Sequence, residues 1–225
     1  NESTRSEKEK MLEETDAALS VLDTCAPAKT GMLSPKPQVL SDELFDPQTT
    51  ADAMEKVRRL SGYAAELADT QAGIQKIDST VASLLPWASL EVPLSTQSTA
   101  NVYVQFGMMP ATADLQQVKK DLALAADASE LTEASTDGEV HYLLLLCYRP
   151  QTEAALDALK PYGFSNTSFK GITGTARETL SYLSAQKNNL EQKAESLKES
   201  ITAMGGDRLA LQLCHDRMVQ EIRKE

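Results

Sequence analysis

The feature that most constrains this chain is a seam of apolar residues near its C-terminus. Steps of alternately four and three residues from Ala176 land on Leu180, Leu183, Lys187, Leu190, Ala194, Leu197, Ile201, Met204, Arg208, Leu211, His215, Met218 and Ile222. Eleven of these fourteen positions are apolar, and the register holds throughout. A spacing of 3.5 residues sustained this long predicts a coiled coil, since a globular helix shows a broader apolar face. At ~1.5 Å per residue the stretch would span about 70 Å. Thr175 with Glu178 three residues later forms a capping box at its start. Gly205-Gly206 interrupts good helix formers and predicts a bend or local weakness.

Residues 51–85 carry a matching seam at Val57, Leu60, Ala64, Leu67, Gln71, Ile74, Ile77, Val81 and Leu84. Its two successive three-residue steps at Ile74 make a stammer, which overwinds a supercoil locally. The helix is expected to stop at Leu85, because Pro86 disfavours a helical conformation in the residue before it. A shorter helix is expected over 3–23, with Leu12, Thr15, Leu19 and Leu22 on one face. Residues 25–50 hold Pro27, Gly31, Pro35, Pro37 and Pro47 and read as a long loop.

Between the two long helices the period changes to two. Val102, Val104 and Phe106 alternate with Tyr103 and Gln105, as in a half-buried strand. A helix over 112–126 follows, with Leu115, Val118, Leu122 and Ala125 inward. Leu131 to Ala134 reads as a short edge strand, and Asp137-Gly138 as a hairpin turn. Val140 to Tyr148 is almost continuously apolar, so it is expected in the middle of a sheet with both faces covered. A helix over 151–162 ends at Gly163, and Phe164 to Phe169 closes as the last strand. The order β-α-β-β-α-β is that of ferredoxin-like folds. The expected class is therefore α+β: a long antiparallel coiled-coil arm carrying a ferredoxin-like end lobe. Its parts are N-terminal helices over 1–99, a distal lobe over 100–170 and a return helix over 171–225. If the helices of the arm run side by side, the last outruns its partner from about Arg208, and the first helix is the candidate to cover that remainder. Both chain ends fall in helices, which reads as a fragment of something longer.

Charge narrows the partners. The chain carries 22 Lys+Arg against 33 Asp+Glu, a net charge of −11. Residues 1–99 contribute 9 − 16 = −7, residues 100–170 contribute 5 − 9 = −4, and residues 171–225 contribute 8 − 8 = 0. This argues against nucleic acid or an anionic membrane as a partner, both of which call for a basic surface. The acidic N-terminal part is suited to a basic protein partner. The longest apolar run, Tyr142 to Tyr148, is far short of the roughly 20 residues of a membrane span, and no signal peptide is expected. Cys25, Cys147 and Cys214 are odd in number and far apart, and read as free thiols of a reducing compartment.

No catalytic, cofactor-binding or metal-ligating residue can be assigned. His141 and His215, the two histidines, have no ligand partner at metal spacing. His141 reads as a satisfied structural group in a strand, and His215 as a polar residue fixing register on the seam. Cys147 reads as a core residue; Cys214 neighbours the seam and is placed as potentially exposed. Lys170-Gly171-Ile172-Thr173-Gly174-Thr175 joins a strand to a helix N-terminus as phosphate loops do, but lacks their glycine-lysine order, and reads as an elbow plus cap. Lys119-Lys120, Arg58-Arg59 and Glu13-Glu14 read as solvated helix faces.

Leu84-Leu85-Pro86-Trp87-Ala88-Ser89-Leu90, closing a long helix before a β-α-β-β-α-β lobe and a long return helix, resembles the cytosolic N-terminal domain of V-type ATP synthase/ATPase subunit I, subunit a in eukaryotes. Tyr162-Gly163-Phe164 before the last strand and Met109-Pro110 after the first fit the same pattern. The resemblance covers essentially all 225 residues. It implies a non-catalytic stator arm without cofactors, on the cytoplasmic face of the membrane, that docks the peripheral-stalk E/G heterodimer and links the membrane sector to the catalytic head during proton transport. The proton-path residues of that family belong to a membrane half not contained here. Two other readings use the sequence pattern alone: a homodimeric coiled-coil adaptor, and a ferredoxin-like module sensing a small molecule at the Gly171–Thr175 elbow.

Overall fold

The computed structural model describes residues 2–28 and 47–224. The fold is α+β. Helix α1 (Glu2–Cys25) is followed by α2 (Pro47–Leu84) and a 3-10 turn (Leu85–Trp87). Then come β1 (Val102–Pro110), α3 (Leu115–Ala125), β2 (Ser129–Thr136), β3 (Val140–Tyr148), α4 (Thr152–Leu159) and β4 (Ser165–Thr167). Helices α5 (Ala176–Ala203) and α6 (Arg208–Lys224), separated by a 3-10 turn at Gly205–Asp207, complete the described chain. It divides into two compact units: 1–75 with 188–225, and 76–187.

The first unit is helical, and its polar side-chain pairs give its directions. Lys8 pairs with Glu221 at 3.5 Å, Asp16 with His215 at 3.1 Å and Asp23 with Arg208, so α1 runs antiparallel to α6. Lys56 reaches Asp207 and Glu66 reaches Lys193, both at 2.8 Å, so α2 runs antiparallel to the chain that returns through α5. These solvent-accessible or partly covered pairs report the helix directions, and those in reach of water add little stability. The stability comes from burial of Leu22, Val57, Leu60, Ile201 and Leu211, all fully enclosed, each worth about 1.5–3 kcal/mol. The expectation that the first helix covers the end of the last one is met by α1 against α6.

Several expectations are corrected in detail. Most of the expected 25–50 loop lies outside the described residues, but Cys25 is still helical and α2 already starts at Pro47. Proline at the first helical position loses no hydrogen bond, so it opens a helix as readily as it stops one. In α2, Gln71 is exposed and Thr70 is buried in its place. The two successive three-residue steps therefore run Ala64, Leu67, Thr70 and centre on Leu67, about two turns before Ile74. Thr70 is tolerated inside because its hydroxyl donates to the Glu66 carbonyl at 2.7 Å. In the last helix the Gly-Gly pair breaks the α-helix outright. The register resumes beyond it with Leu211 and Met218 buried, but the position between them is filled by Cys214, and His215 lies half-exposed beside it. Arg208, expected on the seam, instead donates to the Leu22 carbonyl at 3.1 Å and to the Ala26 carbonyl, closing the open end of α1.

The second unit contains a four-stranded antiparallel sheet in the order β2-β3-β1-β4. The apolar run in β3 sits inside it as expected, with alternate residues serving two cores. Leu143, Leu145 and Cys147 join Val118 and Leu122 of α3 and Ala155 and Leu159 of α4. Leu144 faces the other way, with Phe106, Leu84 and Trp87. Strand β2 is longer than expected and carries a bulge between Glu133 and Ser135. The last strand shortens to three residues, because Phe164 and Phe169 are spent on packing. Asp114 caps α3, its carboxylate accepting from the Gln116 N–H at 3.0 Å, which moves that helix start from 112 to 115. The expected 151–162 helix resolves into α4 flanked by 3-10 turns. The capping box forms as written: the Thr175 N–H donates to Glu178 at 2.9 Å, and the Glu178 N–H to the Thr175 hydroxyl at 3.2 Å.

Two glycines test the packing in opposite senses. A Cβ on Gly107 in β1 would sit 2.3 Å from the Phe164 ring and 2.8 Å from the Ser165 carbonyl oxygen. Gly107→Ala is therefore expected to lower stability by about 1–3 kcal/mol. Gly62, mid-helix in α2, has nothing within 4 Å of such a Cβ, and Gly62→Ala is expected to raise stability by about 0.5–1 kcal/mol. Urea unfolding followed by circular dichroism measures both.

Candidate functional site

The stretch Leu84–Leu90 is a plug. Pro86 ends α2 and tightens the chain into a 3-10 turn, closed by the Ala88 N–H donating to the Leu85 carbonyl at 3.1 Å. This aims Trp87, which is 2% exposed, onto the sheet. Its ring meets Phe106 at 5.8 Å, Tyr142 at 5.5 Å and Phe169 at 5.2 Å, all edge to face. Each such pair adds about 0.5–1.5 kcal/mol beyond area burial. Two serines fasten the plug to β2: Ser89 from the stretch itself, and Ser135, which the sequence did not single out. Ser89 donates to the Ala134 carbonyl and Ser135 to the Pro86 carbonyl, both at 2.6 Å.

The other two stretches that carry the resemblance meet in space. Gly163 has φ 78°, the left-handed conformation that favours glycine, and a Cβ there would lie 3.1 Å from Pro110. Tyr162 donates to Asp121 of α3, and that bond holds its phenol above its usual pKa. Tyr162-Gly163-Phe164 and Met109-Pro110 are thus one packing arrangement that sets α4 against α3 and β1.

The elbow at Lys170–Thr175 is already spoken for. The Gly174 carbonyl accepts from the Leu94 N–H at 2.9 Å, and the Thr173 carbonyl from Ser95 at 2.8 Å. The Thr175 N–H, which a phosphate would need, is taken by Glu178. An anion would therefore meet a carboxylate there.

The remaining candidates stay apart. His141 Nδ1 lies 2.5 Å from Glu133 Oε2 across the β2–β3 ladder, and Nε2 lies 3.2 Å from the Ala113 carbonyl. His215 sits between Asp16 and Asp216, each at 3.1 Å, in the other unit. Lys119, Lys120, Arg58, Arg59 and Glu13 are exposed; Glu14 is half-buried, 4.0 Å from Lys10. Among the described residues no group of three His, Cys, Asp or Glu is placed to hold a metal ion. Among them, too, no helix is long and apolar enough to cross a membrane. The outward faces of α3 and α4 are mixed in character, with Leu124 at 88% exposure as their one large exposed apolar residue.

No family model matches the chain, and no curated protein matches it. A solved structure does. The architecture described above is shared with the cytoplasmic N-terminal domain of subunit I, homolog of subunit a, of V-ATPase. The TM-score is 0.61 at 19% identity, over 99% of this chain and 71% of that one.

The three thiols differ in access. Cys147 and Cys214 are buried and Cys25 is half-exposed. Burial pushes the Cys147 thiol up, and the Cys214 thiol rises chiefly through burial although Arg217 opposes it. Only thiolate reacts with disulfide reagents. One fast equivalent is expected with such a reagent at pH 8, and three after unfolding in guanidinium. Three fast equivalents in the native protein would show that the two cores are open.

Proposed function

We propose that this chain is a non-catalytic stator arm of a rotary V-type ATPase or ATP synthase. It would dock the peripheral-stalk E/G heterodimer and tie the membrane sector to the catalytic head during proton transport. The observation that carries this reading is the fold likeness over 99% of the chain to a subunit I domain. Further support comes from the packed stretches: Leu84–Leu90, Met109-Pro110 and Tyr162–Phe164 each do structural work in this fold.

The finer architecture follows the same reading. Residues 100–170 form a ferredoxin-like distal lobe, supported by the strand order β2-β3-β1-β4, which is that of a split βαβ. Residues 1–99 and 171–225 supply the coiled-coil arm, supported by antiparallel helices with apolar seams. A stator transmits torque without chemistry, so stiffness and a docking face suffice, and no cofactor is required. On this reading the chain works as a monomer on the cytoplasmic face of the membrane, joined to the rest of the ATPase through sequence beyond its C-terminal helix. The break at Gly205–Asp207 is a point where the arm can flex.

Calorimetric titration of the chain with the peripheral-stalk heterodimer of the same source tests the reading. A saturable one-to-one signal is expected, lost when residues 100–170 are replaced by a short linker. No heat at concentrations of order 100 μM, about 5.5 kcal/mol of affinity, would contradict it.

A further inference from the structure

The sheet face that Trp87 covers is not covered to its end. The register sets Val102 opposite Tyr148, and Val104 opposite Leu146, with Glu130 beside Leu146 on β2. Side chains alternate along a strand, so these residues share the face of Phe106 and Leu144. Phe106 and Leu144 are buried, Val104 and Leu146 are half-buried, Val102 is 39% exposed and Tyr148 is 50% exposed. The cover thins steadily toward this end, and a groove of about 400 Å³ opens there. Val102, Leu146 and Tyr148 line it, with Asp127 and Glu130 also at its wall.

We propose that this sheet end is a docking site for a basic amphipathic helix of another protein. The rest of the same face is covered by helical segments carrying Leu84, Trp87 and Ala176, so a helix laid on Val102 and Tyr148 extends an existing layer. The charge picks the sign of its polar side. Glu130 makes no hydrogen bond or ion pair among the described residues, and Asp127 is bound to the neutral Gln151 amide at 2.6 Å. The neighbouring cation, Arg149, has its Nε drawn to the Thr99 carbonyl at 3.0 Å. A partner helix with apolar residues on one side and Lys or Arg at its margin would fill the groove and give Glu130 a counter-ion. Under the stator reading that helix belongs to the peripheral stalk. The groove itself rests on the residues named, so a stalk heterodimer that fails to bind removes the stator reading and leaves the groove to be judged separately.

The test uses a synthetic amphipathic helical peptide of leucine and lysine, and its leucine and glutamate twin, with the full chain. Fluorescence anisotropy is expected to show saturable binding of the lysine peptide and none of the glutamate twin. Glu130→Lys, on an exposed position that leaves the fold intact, is expected to weaken it roughly tenfold. The double variant Val102→Asp with Tyr148→Asp is expected to do the same or more, at unchanged circular dichroism. Absence of lysine-peptide binding, equal binding of both peptides, or indifference to Glu130→Lys would overturn the proposal.

Discussion

Burial of Trp87 organises the second unit. One residue, Pro86, both stops a helix of 38 residues and turns the chain so that the next side chain enters the sheet. Around that ring the edge-to-face contacts to Phe106, Tyr142 and Phe169 draw on β1, β3 and the segment after β4. The polar groups this turn exposes are returned to the sheet through Ser89 and Ser135. Without the aromatic nest, β4, with three paired residues, would have little to hold it. A side chain this large, enclosed on every side, carries about 3–5 kcal/mol against truncation, a large part of a typical domain's stability.

The first unit obeys a different constraint. No single residue dominates it; a repeating pattern of medium-sized apolar side chains does, and its cost is sensitivity to phase. Two polar residues show how the phase is kept. Thr15 and Thr70 sit fully inside because each returns its hydroxyl to the carbonyl four residues back. Arg208 sits where the seam breaks and converts the break into a cap for α1. The break therefore has a structural use: it frees a cation to bind the Ala26 carbonyl just past the end of α1 and to share the Leu22 carbonyl with the Ala26 N–H.

Period carried the sequence reading furthest. The change from seven-residue to two-residue spacing located the sheet, and the nearly continuous apolar run in Val140–Tyr148 identified the interior strand to the residue. Capping chemistry did equally well, since Thr175 and Glu178 interact locally and need no tertiary partner. What failed was phase. Beyond Gly205–Asp207 the count still lands on buried Leu211 and Met218, but between them a four-three and a three-four step are equally regular, and the apolar Cys214 takes the inside place that the count gave to His215. The stammer was misplaced for a different reason: Thr70 and Gln71 are both polar, and the Thr70 hydroxyl finds a backbone partner in the Glu66 carbonyl. The groove at Val102 and Tyr148 left no sequence signal, because it is defined by where the cover on a sheet face ends.

The account depends on the apolar seams being satisfied within one chain, with α1 against α6 and α2 against the returning α5. A homodimeric adaptor would satisfy them between chains. Sedimentation equilibrium over a hundredfold range of concentration decides between these. The account predicts the mass of one chain throughout, whereas a mass rising to that of two chains, with loss of helix on dilution, would contradict it.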